Sequence, residues 1–95
     1  MPAYIIAMMT VTKPDAYEAY RTLAGPAVAK HGGRFLVRGG KHEVLEGGFP
    51  GSRVVVVEFA SFERAKTFYD SPEYRTAREK RQGAAAFNLL LVDGA

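Results

Sequence analysis

The chain has no cysteine. That removes a disulfide frame, a thiolate nucleophile and any sulfur-ligated metal centre, and it fits a reducing compartment. No apolar run approaches the roughly 18 residues that a membrane-spanning helix needs. The N-terminal run Met1-Pro2-Ala3-Tyr4-Ile5-Ile6-Ala7-Met8-Met9 has no basic leader and reads as a strand, so a cytoplasmic protein without a signal peptide is expected. A strong excess of one charge is also missing: 13 Lys and Arg against 10 Asp and Glu leave a formal +3. The densest basic group, Arg75, Arg78, Lys80 and Arg81, is interleaved with Glu73 and Glu79. It reads as a solvated helix face and not as the one-signed stripe of a nucleic-acid domain. No nucleic acid and no membrane are expected as partners.

Several catalytic signatures are absent as well. Gly39-Gly40 lacks the spacing of a phosphate-binding loop. Ser52, Ser61 and Ser71 read as turn or cap residues, and no nucleophile elbow is visible. His31 and His42 have no recognisable carboxylate spacing around them, so no metal and no cofactor is expected.

What is present is ordinary globular composition, 47% hydrophobic and 24% charged. At this length it makes one domain over residues 1–95. Residues 3–11 alternate between two largely apolar faces, the pattern of a strand covered on both sides. Thr12-Lys13-Pro14-Asp15 opens a helix, with Thr12 as the expected N-cap. Tyr17, Tyr20, Ala24, Ala27, Val28 and His31 share one face of it. Gly25-Pro26 predicts a kink or break, and Gly32-Gly33 a stop. Residues 34–38 form a second strand, which Glu43-Val44-Leu45-Glu46 continues or answers as a hairpin arm.

The most telling stretch begins at Arg53. Residues 53–60, with four consecutive valines, read as a strand buried on both faces. Ser61 then caps a short helix with Phe62, Ala65, Phe68 and Tyr69 inward. Ser71 and Pro72 start another, on which Tyr74, Ala77, Arg78 and Arg81 share a face. Gly83 ends it, and residues 87–92 are the last strand. The order is βαββαβ, an α+β ferredoxin-like fold with a four-stranded antiparallel sheet. Helices cover one face of such a sheet. Val54 and Val56 oppose Val55, Val57 and Phe59, and Leu89 and Leu91 oppose Leu90 and Val92, so the other face is apolar too. A soluble monomer rarely shows so large a patch, and a homodimer closed through the sheet is the expected remedy.

The run Tyr17-x-x-Tyr20, then His31-Gly32-Gly33-Arg34-Phe35-Leu36-x-Arg38-Gly39-Gly40, Leu45-Glu46-Gly47, Arg53-Val54-Val55-Val56-Val57-Glu58-Phe59, Ser71-Pro72-Glu73-Tyr74 and Arg81 resembles the bacterial domain-of-unknown-function 1330 family. The resemblance covers the chain from about Ala3 to Gly94. It implies a dimeric α/β barrel, in which the sheets of two ferredoxin-like protomers pack together. It implies no reaction. The superfamily includes cofactor-free monooxygenases, small-lactone isomerases, haem-degrading enzymes and stress-response dimers, and one fold hosts many chemistries.

The residues themselves nominate a site. Glu58 is the polar residue inside the apolar strand. A buried carboxylate must be paired, hydrogen-bonded or protonated, and Arg34, Arg38, Arg53 and Arg81 are all available as partners. It reads as a general acid/base in a pocket, or as a strand-end carboxylate in a structural ion pair. Arg38, Arg53 and Arg81 are expected to orient a polar or anionic ligand, and Tyr20 and Tyr74 to line its cavity. Enzymatic turnover would then be proton transfer or cofactor-free oxygen chemistry. The alternative is a non-catalytic dimerisation or protein-interaction module.

Overall fold

Alternation along the first strand gives the sheet its two characters. The computed structural model describes residues 1–95. It runs β1 (Ala3–Val11), α1 (Pro14–Lys30), β2 (Arg34–Arg38), β3 (Arg53–Phe59), α2 (Phe62–Asp70), α3 (Pro72–Lys80) and β4 (Ala85–Asp93). The strands form one antiparallel sheet in the order β2-β3-β1-β4. This is the ferredoxin-like α+β arrangement, with the second helical crossover divided in two. Principal extents of 32 × 31 × 17 Å match one sheet layer under one helix layer.

Ala3, Ile5, Ala7 and Met9 of β1 point at the helices and are buried, together with Val57 and Phe59 of β3. They meet Ala24, Ala27 and Val28 of α1, Phe68 of α2 and Tyr74 of α3. The aromatic rings of Phe59, Phe68 and Tyr74 stack in sequence, with centroids 5.1 and 4.5 Å apart. The opposite face carries its side chains in rows across the strands. Arg34, Glu58, Tyr4 and Val92 make one row, and Val37, Val56, Ile6 and Leu90 the next. Nothing in the protomer covers this face, and Leu90 is 60% exposed.

Local capping follows the sequence except in α1. Ser61 Oγ accepts from the Arg64 N–H, and Ser71 Oγ from the Tyr74 N–H, as N-cap serines do. In α1 the N-cap is Lys13, not Thr12, and makes no side-chain cap. The Thr12 and Lys13 N–H groups both donate instead to the Ala84 carbonyl, which fixes the helix entry without a hydroxyl cap. The Gly25-Pro26 break does not occur: α1 is continuous through Pro26, because Ala24, Ala27 and Val28 bury their side chains on both sides of it. Residues 43–46 add no strand. Phe62 faces outward at 40% exposure, while Ala65 and Phe68 supply the buried side of α2. The last strand extends over residues 85–93, beyond the expected 87–92.

An ion-pair cluster ties the end of α1 to the start of α3. Glu73 accepts from His31 Nε2 at 2.9 Å and pairs with Lys30 Nζ at 3.3 Å. The His31 hydrogen bond, reinforced by Lys30, lowers the Glu73 carboxyl below its ordinary range. Its folded value therefore lies below its unfolded one. The stability it contributes is complete above the unfolded carboxylate range of about 4.3 and is lost as pH falls through the lowered folded value. Glu73→Gln is expected to lower the urea midpoint near neutral pH and to match the parent in strong acid. A gap that persists unchanged into strong acid would remove the ion pair as its cause.

Candidate functional site

Small side chains create the site. Ala7, at the centre of the helix-facing side of the sheet, lies under a helix that presents Ala24 and Gly25. Larger residues at these points would fill the gap. The resulting cleft is about 50 Å³. One face of α1 forms its roof: Tyr17, Tyr20, Arg21, Ala24, Gly25 and Val28 recur at helical spacing. Its floor is Ile5, Ala7, Met9, Val55, Val57 and Leu89, and Phe35, Phe68 and Tyr74 close the sides.

Arg38 and Arg53 reach this cleft from the sheet. A bulge places Arg38 there. Phe35 pairs with Val57, but Val37 rather than Leu36 pairs with Val56, so Arg38 pairs with Val55 and joins the helix-facing side. Its guanidinium carbon sits 4.1 Å from the Phe35 ring centroid. Gly25 lies against it: a Cβ there would make an ordinary van der Waals contact, 3.4 Å from the Arg38 Nη2 atom. Arg53 donates from Nε to the Tyr17 hydroxyl at 3.0 Å. Its guanidinium lies where a Cβ on Gly39 would be, and Gly39 also has φ +75°, so any other residue is disfavoured twice. Neither Arg38 nor Arg53 has a carboxylate partner, and Arg21 pairs with Glu18 at the rim.

The phenols complete the lining. The Tyr20 and Tyr74 hydroxyls hydrogen-bond at 2.7 Å. Only one of them donates in that bond, so the other keeps a free O–H. Burial, with Tyr74 alongside, pushes the Tyr20 phenol well above its usual range and keeps it a donor. No Asp, Glu or His lines the cleft. Its polar side chains are three guanidiniums and three phenols.

Tyr20, Tyr74, Arg38 and Arg53 thus converge, and two expected members do not. Glu58 stands on the opposite face of the sheet, where Arg34 Nη2 donates to its Oε1 at 2.8 Å; the two side chains are 26% and 72% exposed. The partner left open by the sequence is Arg34, directly across the strands, and the pair lies outside the cleft. Strand parity separates them: Val57 and Phe59 point to the helices, so Glu58 points away. Arg81 is also outside the cleft. It packs behind Tyr20, over the Phe87 ring at 3.8 Å, at the outer surface of α3. Sequence reasoning missed Tyr17 and Arg21 as lining residues. Their signal was the same helical stripe that singled out Tyr20.

No three His, Cys, Asp or Glu side chains come together in a way that suits a metal ion. No helix is long and apolar enough to cross a membrane.

The fold is similar to that of known structures. The RPA0582 protein of unknown function from Rhodopseudomonas palustris is 24% identical with a TM-score of 0.74, over 99% of this chain and 82% of that one. Rv0793 from Mycobacterium tuberculosis is 19% identical with a TM-score of 0.60, over 100% and 96%. A candidate antibiotic biosynthesis monooxygenase from Nitrosomonas europaea is 15% identical with a TM-score of 0.61, over 99% and 98%. At these identities the likeness is one of fold. No curated protein matches the chain. The model of the domain of unknown function DUF1330 matches residues 2–95, and the chain belongs to that family.

Proposed function

We propose that the protein is a cytoplasmic homodimer, closed through the open sheet face, that binds a small organic anion in the cleft of each protomer. One observation carries the ligand class: every polar side chain lining the cleft is a donor, and none is an acidic or basic acceptor. A neutral ligand leaves the Arg38 and Arg53 charges without counter-charge. A carboxylate or phenolate answers them with charge-assisted bonds, and its apolar body meets Tyr20, Val28 and Val55.

The same inventory bears on chemistry. With Glu58 on the other face and Tyr20 held protonated, the cleft lining has no carboxylate or imidazole base. It is suited to stabilising an anion that the substrate already carries or easily forms. Cofactor-free oxygen chemistry on such an activated anion fits better than proton abstraction by the lining residues. Glu58 keeps an acid/base part only if a second subunit brings it to a ligand.

Propionate and benzoate, each against its neutral amide, test the reading. The acids are expected to raise the melting temperature and the amides to leave it unchanged. Arg53→Gln is expected to weaken acid binding about 10–100-fold, the equivalent of one charge-assisted hydrogen bond. Equal shifts from acid and amide would overturn the anion assignment.

The cleft volume of about 50 Å³ favours a second reading. It is room for a few water molecules, and a non-catalytic dimer module needs no more. That reading gains if no acid shifts the melting temperature and Arg53→Gln changes only stability.

A further inference from the structure

The outer surface of α3 carries cations that the cleft does not use. Arg75, Arg78 and Arg81 repeat every three residues and surround a shallow depression of about 450 Å³ with Tyr69, Glu79 and Gln82. None of the three arginines has an acidic partner. Arg75 makes one long bond, from Nη2 to the Asp70 carbonyl at 3.5 Å.

Arg78 and Arg81 are held in an unusual way. The Arg78 guanidinium carbon is 4.3 Å from the Tyr69 ring centroid and 5.7 Å from that of Tyr74. That of Arg81 is 3.8 Å from Phe87 and 5.4 Å from Tyr20. The Nε atoms of both are buried without a partner, while both side chains line the depression. Stacking engages the flat faces, fixes the planes and leaves the amino edges as open donors. Two pre-set forks lose less rotamer freedom on binding than two free arginines. A solvated helix face does not require cations anchored like this.

Charge chooses the ligand. Three guanidiniums face one carboxylate, Glu79. The C-terminal end of the α3 dipole stabilises these cations and opposes an incoming anion. A singly charged carboxylate gains little there, whereas a compact oxyanion with two or more charges engages two forks at once. We propose that Arg75, Arg78 and Arg81 form a binding site for phosphate-class oxyanions, a phosphate monoester or a diphosphate, separate from the cleft and independent of what the cleft binds.

Calorimetric titration with inorganic pyrophosphate tests this on the intact protein, with circular dichroism confirming the fold of each variant. Arg78→Gln is expected to weaken binding at least tenfold. Arg75→Gln, at an exposed position, is expected to weaken it severalfold without touching any stacked ring. Arg38→Gln is expected to leave it unchanged. Loss in Arg38→Gln with retention in Arg78→Gln would overturn the site by assigning the anion to the cleft. No binding of pyrophosphate at millimolar concentration would overturn it outright, as would tight binding of a single-stranded oligonucleotide through these arginines with none of pyrophosphate.

Discussion

Glutamate in place of Val56 is expected to give a monomer with its fold intact. Val56 lies between Val37 and Ile6 in the middle row of the open sheet face. In a lone protomer the new carboxylate points into water and costs only a strand preference of about 1 kcal/mol or less. In a sheet-to-sheet dimer, each such carboxylate loses its hydration at the interface. The effective penalty is several kcal/mol per ion. Each 1.4 kcal/mol is about tenfold in affinity, so dissociation shifts by several orders of magnitude. Sedimentation equilibrium reads this directly, as a fall to the protomer mass of 10.4 kDa. Ala19→Glu, on the exposed side of α1, is the matched control and is expected to sediment like the parent. A parent protein already at the protomer mass would overturn the dimer, and an unchanged mass for Val56→Glu would remove the sheet face as its interface.

Phe59→Ala is expected to have the largest effect on stability. The ring is 1% exposed and stacks on Phe68, which stacks in turn on Tyr74. Removing a buried phenylalanine costs about 3–5 kcal/mol. A domain of this size has roughly 5–14 kcal/mol in all, at about 0.05–0.15 kcal/mol per residue. The melting temperature should fall by roughly 12–40 °C, at about 4–8 °C per kcal/mol. Phe62→Ala supplies the contrast. Its ring is largely at the surface, and its loss should cost about 1 kcal/mol or less, as most surface changes do. Similar losses from both substitutions would contradict the outward placement of Phe62.

That contrast marks how far residue patterns reach. Apolar alternation and the caps at Ser61 and Ser71 made the element order legible, because burial and capping act over a few residues. Phe62 was misjudged because it begins its helix, where only the following turn is covered by the sheet. Arg38 shows a deeper limit. Strict alternation from Phe35 sends Arg38 to the open face with Leu36. The bulge at Leu36 reverses it, and a bulge is a matter of pairing between strands distant in sequence. Glu58 was legible as an anomaly but not as to its side. Parity says that Glu58 and Val57 diverge, yet only the helix packing says which of the two faces the cleft. Tyr20 and Tyr74 were found because aromatic residues at helical spacing mark a packed face whether that face closes on a core or on a cavity.

Pro26 sits in the exposed half of α1, one residue from the roof of the cleft. Having no N–H, it leaves the Thr22 carbonyl without its helical donor. The turn that carries Ala24 and Gly25 is therefore the least braced part of the helix, while Tyr17 and Val28 anchor it on either side. A bend of this turn would change the height of the cleft beneath Ala24 and Gly25. Amide exchange around residues 24–28 would register that bending as breathing of the helix, and an anion that wedges beneath it would slow the exchange.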